Sequence, residues 1–307
     1  MLYVTNDIHG NPNSIQKTVA AINRMRHGDT LIINGDAFGM RGPIMSEIVS
    51  LFYNVRRGDS DTANLNQAIS KIVGREIEIP KQWIFKTTDS GMFLELLNQY
   101  KEIEECATKE ADGLLQATLQ PLSEAAKDKV KLICLPGNGE IAYLDYMLAR
   151  EQKENRSTEQ AYSFCAQWKK SLYEQYGIRY IENYILHDEI ALISTNLLDL
   201  ETPRAISMLQ RHNISKVKTV IVHYPPCYSL IKQTFDFWTL NKPDIRRIIA
   251  LKKILRAFPQ KGVRIIFGHV HLGLDDSRMN SYPNSIDFRY KQNICRWVKP
   301  GEILEIS

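Results

Sequence analysis

Five short apolar runs in this chain each end in a side chain that can ligate a metal. Residues 2–5 lead into Asn6-Asp7-Ile8-His9-Gly10, residues 30–34 into Gly35-Asp36, and residues 130–135 into Pro136-Gly137-Asn138-Gly139-Glu140. Residues 219–222 lead into His223-Tyr224-Pro225-Pro226, and residues 264–267 into Gly268-His269-Val270-His271. If the runs are strands of an open α/β sheet, their carboxyl ends share the rim where such sheets bind ligands. Asp7, His9, Asp36, Asn138, His223, His269 and His271 then converge. Two Asp, one Asn and four His form a mixed oxygen and nitrogen set that suits Mn²⁺, Fe or Zn²⁺ better than Ca²⁺. That is too many ligands for one tetrahedral ion, and about right for two ions sharing a bridging carboxylate. The i, i+2 spacing of Asp7 with His9, and of His269 with His271, puts each pair on one side of an extended chain.

Taken singly, each motif has a plainer reading. Gly35-Asp36 and Gly137-Asn138 are ordinary turn chemistry, and His223 in an apolar setting could be a hydrogen-bonded core histidine. His-x-His after a strand is sharper. Five such ends in order, each directly after a strand-like run, are hard to attribute to turns alone. His27, His187 and His212 fall in turns or helix ends away from this rim and read as surface residues.

The elements that must carry these ends alternate short β-branched runs with helical patterns, which indicates an α/β fold. A hairpin is expected over 180–186 and 189–194, turning at His187-Asp188, and 303–306 is expected at a sheet edge. Helices are expected over 14–25, 44–53, 141–151, 158–176 and 244–257. The last reads as a sheet-covering helix, with Ile245, Ile248, Ile249, Leu251, Leu255 and Phe258 inward and Arg246, Arg247, Lys253 and Arg256 on a solvated basic face. Residues 56–129 read differently, as a predominantly helical insertion within one domain spanning 1–307. They hold Trp83-Ile84-Phe85 and a long helical pattern over 91–119, which Pro121 is expected to interrupt before a short helix to 129. Trp83, Phe85 and Trp168 are candidates for an apolar wall over the cleft, with a small private core the favoured role for Trp83 and Phe85.

Composition narrows the class. The 307 residues are 44% hydrophobic and 24% charged, which excludes a disordered or fibrous chain. Thirty-nine Lys and Arg against 35 Asp and Glu leave +4, too mild an excess to require or exclude a polyanionic partner. Five scattered cysteines with no C-x-x-C pair argue against a disulfide framework and for a reducing, cytoplasmic setting. Cys227 reads as structural, since no base is placed to activate it. No leader pattern and no membrane-length apolar run is evident, so no membrane insertion is expected. No P-loop, G-x-S-x-G or dinucleotide fingerprint is present.

The set Asp7-x-His9, Gly35-Asp36, Gly137-Asn138-x-Glu140, His223 and Gly268-His269-x-His271 resembles the calcineurin-like metallophosphoesterases. The resemblance spans residues 7 to 271, with the insertion unmatched. It implies two packed mixed β-sheets flanked by helices in four layers. It implies two divalent ions, Mn²⁺ first with Fe or Zn²⁺ as alternatives: Asp7, His9 and His271 on one, Asn138, His223 and His269 on the other, Asp36 bridging. The implied activity is hydrolysis of phosphoric esters by a hydroxide activated between the ions. The run Asp36-Ala37-Phe38-Gly39-Met40-Arg41-Gly42-Pro43 leans toward the phosphoprotein phosphatase and diadenosine-tetraphosphatase branch, where Arg41 would grip two phosphate oxygens. The His269/His271 pair leans the other way, toward diesterases and nucleases. Catalytic roles then fall to Asp36, Arg41 and Asn138, and substrate contact to Arg41 and Tyr224. The expected substrate is a phosphoprotein or a small phosphorylated metabolite or nucleotide. A phosphodiesterase or nuclease is the alternative, with nucleic acid not favoured because no basic stripe is visible. A catalytically weakened metal-binding interaction protein is the alternative of another class.

Two positions depart from the family pattern together. Gly139 stands where the third motif usually has His, and Met40 where the Arg-Gly branch has an Asp that orients that His. That pair would protonate or stabilise the leaving oxygen, and a positioned acid contributes about 10²–10⁴-fold. Rates should therefore depend steeply on leaving-group acidity, with aryl esters and anhydrides fast and alkyl phosphates such as phosphoserine slow. Gly139→His alone should help little, while the double change with Met40→Asp should help alkyl substrates most. A flat dependence across esters of graded leaving-group pKa would show that another group, Tyr224 or a residue of the insertion, acts as the acid.

Overall fold

In the computed structural model the described residues are 1–37, 43–86, 96, 99–137, 171, 173–235, 242–259, 262–270 and 281–306. Arg41, Asn138 and His271 lie outside them, as do Met40, Gly139, Trp168, the helix expected over 141–151 and most of that over 158–176. By internal packing the chain divides into two compact units. Residues 1–38, 118–141 and 170–307 form the first, and 39–117 with 142–169 the second.

The first unit holds two mixed sheets flanked by helices. Strands β1 (Leu2–Asn6), β2 (Thr30–Asn34), β3 (Lys131–Leu135) and β4 (Ile178–Tyr180) run parallel in one sheet. The second sheet has the order β5 (Tyr184–His187), β6 (Ile190–Ile193), β7 (Thr219–Val222), β8 (Arg264–Phe267), β10 (Asn293–Val298), β9 (Ser285–Tyr290). Strand β11 (Ile303–Ile306) closes the first sheet, antiparallel to β1. The β5–β6 hairpin turns at Asp188 and Glu189, one residue later than expected, because His187 still pairs with Ile190 as the last residue of β5, and Asp188 has φ 51°.

Period-two alternation decides which residue goes where. Leu192, Ile221 and Ile266 face the first sheet, where they meet Val4, Ile32, Leu135 and Ile306 in a buried layer. Their neighbours Ile193, Val222, Phe267 and Trp297 point the other way. There they pack with α6 (Thr195–Asp199), α7 (Thr202–Gln210) and α9 (Lys242–Ala257). Strands buried on both faces must be apolar throughout, which is why they read as unbroken runs.

Among the described residues the remaining helices are α1 (Pro12–Arg24), α2 (Pro43–Arg57), α3 (Ala63–Val73), α4 (Lys81–Lys86), α5 (Lys101–Ala126) and α8 (Tyr228–Thr234). The second unit has its own core, with Ile48 and Phe52 of α2, Leu65 and Ile69 of α3, and Ile84 of α4. Trp83 packs against it, edge-on to Phe52 at 6.3 Å. Phe85 does not, being 53% exposed. Among the described residues no helix is long and apolar enough to cross a membrane.

Three further expectations are corrected. Helix α5 runs unbroken through Pro121. The proline removes one backbone bond, but Leu119, Leu122 and Ala126 are buried on either side of it and hold the helix across the gap. In α9, Ile245 and Ile249 are exposed while Ile248, Leu251 and Ile254 are buried, so the apolar face is rotated from the one expected. Arg247 leaves the solvated face for a partly buried ion pair described below. Strands β9 and β10 were not foreseen, because their outward positions are charged and break the apolar run. Arg296 of β10 pairs with Asp287, its register partner on β9, at 2.6 Å.

Candidate metal centre

Two buried carboxamides join the sheets at their shared rim. Asn6 and Asn34 end the adjacent strands β1 and β2 in the same register. The Asn34 Nδ2 donates to the Val222 carbonyl of β7 at 3.0 Å, and the Asn6 Nδ2 to the carbonyls of Phe267 and Val298 at 3.4 and 3.3 Å. Two of these bonds, to Val222 and Phe267, land immediately before residues of the cluster. Asp7 follows Asn6, Asp36 follows Asn34 by two, His223 follows Val222, and Gly268-His269 follows Phe267. Backbone bonds then lock the turns, Asp7 N to Gly35 O at 3.3 Å, His9 N to Asp36 O at 2.8 Å, and Gly268 N to His223 O at 3.1 Å.

Five of the seven expected ligands are described, and they meet there. His9 Nε2 lies 3.4 Å from Asp36 Oδ2 and 3.8 Å from Asp7 Oδ1. His223 Nε2 lies 3.5 Å from the same Asp36 oxygen and 3.2 Å from His269 Nδ1. Two groups result, Asp7/His9/Asp36 and Asp36/His223/His269, each with its ligand atoms within 4.8 Å of one another. Asp36 belongs to both. Donors bonded at about 2.1 Å to one ion sit about 3.0–3.4 Å apart, so the spacing and the mixed carboxylate and imidazole chemistry fit divalent ions. Asp7 and Asp36 are buried while His9 is 22% exposed, so the cluster opens to solvent on the His9 side.

His223 Nδ1 is 3.2 Å from the Asn34 carbonyl, which can only accept. That contact assigns the proton to Nδ1 and leaves the Nε2 lone pair facing Asp36 and His269.

The backbone is strained at the candidate ligands. Among the described residues, seven non-glycine positions have positive φ, and Asp7 (51°), His9 (50°), Asp36 (43°) and His269 (67°) are four of them. Such conformations cost free energy and persist when surrounding contacts over-determine them. The glycines of the motifs serve close approach. A Cβ at Gly137 would collide with Asp36 Oδ1, one at Gly268 with Asp7 Oδ2, and one at Gly35 with the His223 ring.

Behind His269 lies a second layer that the sequence reading did not identify. Asp244, in the first turn of α9, has Oδ1 3.6 Å from His269 Nε2. The Tyr224 hydroxyl donates to the same Oδ1 at 2.9 Å and accepts from Arg247 Nη1 at 2.8 Å. Arg247 also holds Asp199, at the end of α6, in a two-pronged pair at 2.7 and 2.9 Å. Burial pushes the Tyr224 hydroxyl far above the ordinary tyrosine value, so it is a neutral donor. Burial alone would raise the Asp244 carboxyl. The nearby His269, the Tyr224 hydroxyl and the Arg247 charge outweigh it and hold the group below the usual carboxylate range.

Tyr224, expected at the substrate, is fully buried with its hydroxyl bonded to Asp244 and Arg247. The signal available in the sequence was Asp244 and Arg247 at i, i+3 on one helix, an acid and a base beside an otherwise apolar face. For Asn6 and Asn34 the signal was an Asn ending each of two apolar runs, where strands disfavour it.

No family model and no curated protein matches the chain. Among solved structures it is similar to phosphopantetheinyl hydrolase (PptH) from Mycobacterium tuberculosis, with 10% identity, 98% of this chain and 89% of that chain covered, and a TM-score of 0.38. A likeness at that level carries no weight for function, and the side-chain geometry has to carry it instead.

Removing an inter-sheet carboxamide should be costly. Asn34→Ala strands the buried Val222 carbonyl and should lower stability by about 1–3 kcal/mol, read as a lowered urea midpoint at unchanged slope. An unchanged midpoint would show that the amide does not carry the join.

Proposed function

We propose that this protein is a metal-dependent phosphoester hydrolase, a phosphatase acting on a phosphoprotein or a small phosphorylated metabolite or nucleotide. The observation that carries this reading is the pair of ligand groups sharing Asp36. Asp7 and His9 would hold one ion, His223 and His269 the other, and Asp36 both. Asn138 and His271 would complete the two sets by the family resemblance. Divalent ions held there would supply an activated water and offset charge on the phosphoryl oxygens. The chain's own contribution is preorganisation. Inter-sheet amides, strained turns and glycine contacts hold the carboxylates and imidazoles before substrate arrives, so little reorganisation remains for the reaction. Substrate would enter from the exposed His9 side. Arg41, whose fork matches two phosphate oxygens, is the proposed clamp for it.

Asp36→Asn should lower hydrolysis of p-nitrophenyl phosphate by at least ~10²-fold, the scale for losing one preorganised electrostatic group, while circular dichroism shows the fold intact. Full activity in that variant, or undiminished hydrolysis after chelation of metals, would sink the reading.

A further inference from the structure

The two histidines of the second ligand group have their far nitrogens covered by acceptors. His223 turns Nδ1 to the Asn34 carbonyl at 3.2 Å, and His269 turns Nε2 toward Asp244 Oδ1 at 3.6 Å. Their remaining nitrogens, His223 Nε2 and His269 Nδ1, face each other at 3.2 Å. One ring is thus oriented by a main-chain carbonyl and the other by a carboxylate. The carboxylate is itself held, because Tyr224 donates to it and Arg247 and Asp199 hold Tyr224. The chain of contacts Asp199–Arg247–Tyr224–Asp244–His269 runs from the end of α6, through the start of α9 and the residue after His223, into the cluster.

We propose that Asp244 is a positioning residue for His269. It accepts a hydrogen bond from Nε2–H, fixes the Nδ1-unprotonated form of the ring, and aims Nδ1 at the position shared with His223 and Asp36, while Tyr224 and Arg247 hold it in place. This rests on the metal reading only for what Nδ1 is aimed at. The 3.6 Å separation is longer than a formed hydrogen bond, and it has to shorten in solution for Asp244 to act in this way. An outer carboxylate of this kind fixes the tautomer and orientation of a ligating imidazole and strengthens it as a donor. The geometry also explains why a tyrosine hydroxyl is buried here. Asp244 accepts from Tyr224 on one side, so its oxygen cannot swing away from His269 without breaking a buried bond.

The test uses the full-length protein with ¹⁵N-labelled histidine, stripped of metal by chelation, and His269→Ala to assign the ring. In the His223→Ala background, which removes the lone pair facing Nδ1 at 3.2 Å, long-range ¹H–¹⁵N spectra should show His269 protonated on Nε2 and bare on Nδ1. In Asp244→Ala the ring should become a mixture of tautomers. Affinity for Co²⁺, followed by visible absorption, should fall roughly 10–100-fold. Asp244→Asn keeps an acceptor oxygen and should recover most of both signals, which a merely structural role would not produce; it also stands in if the alanine variant does not fold. Tyr224→Phe should loosen the tautomer preference with a smaller loss of affinity. His269 protonated on Nδ1 in the His223→Ala background, or an unchanged tautomer in both Asp244 variants made in that background, would overturn the proposal. Should wild-type protein take up no Co²⁺, the metal reading fails, and the metal-free tautomer still decides the role of Asp244.

Discussion

The join between the sheets at the ends of β1 and β2 is the constraint on which the rest of this structure depends. Two asparagine side chains reach from one sheet to the main chain of the other, and each reaches the residue just before a histidine or glycine of the cluster. Below that level the sheets meet through apolar side chains such as Ile32, Ile221 and Ile266, which are indifferent to small slips. A directional bond is not. By placing amide-to-carbonyl bonds at the rim, the chain sets the relative height of the two sheets where the ligands must meet. The buried carbonyls it satisfies make displacement costly.

Above the join, strain and close approach do the positioning. The left-handed turns at Asp7, His9, Asp36 and His269 re-aim each chain as it leaves its strand, and the extended continuation would carry the side chains past one another. Glycines stand where a neighbouring ligand fills the space a Cβ would need. Behind the rim, the Asp244–Tyr224–Arg247 layer converts the packing of α9 on the second sheet into a hydrogen-bonded network that places a carboxylate beside the His269 ring. The free energy for holding polar groups in such a place comes from the apolar layers on both faces of the strands, where Phe267, Trp297 and Val222 are fully buried.

The sequence shows some of this and hides the rest for physical reasons. Strands β2, β7 and β8 are legible to the residue because parallel strands buried on both faces are apolar without interruption. Strands β9 and β10 are not, since one face carries Asp287, Arg289 and Arg296. Pro121 misleads because local propensity argues for a break while burial of Leu119 and Leu122 holds the helix. In the cluster, residue type and position after a strand are local properties and can be read directly. Partnership is not local. Asn6 meets Phe267 across 261 positions, and Asn34 meets Val222 across 188. Tyr224 looks like a rim residue by its place beside His223, yet alternation turns it into the core toward α9.

The most direct test of a shared-carboxylate centre is low-temperature electron paramagnetic resonance of the protein equilibrated with Mn²⁺, with metal content measured on the same sample. Two Mn²⁺ per chain with a spin-coupled spectrum are expected, because among the described residues the Asp36 carboxylate is common to both ligand groups. Asp36→Asn should abolish the coupling. One isolated Mn²⁺ per chain, two uncoupled ions, or a coupled spectrum that survives Asp36→Asn would contradict it.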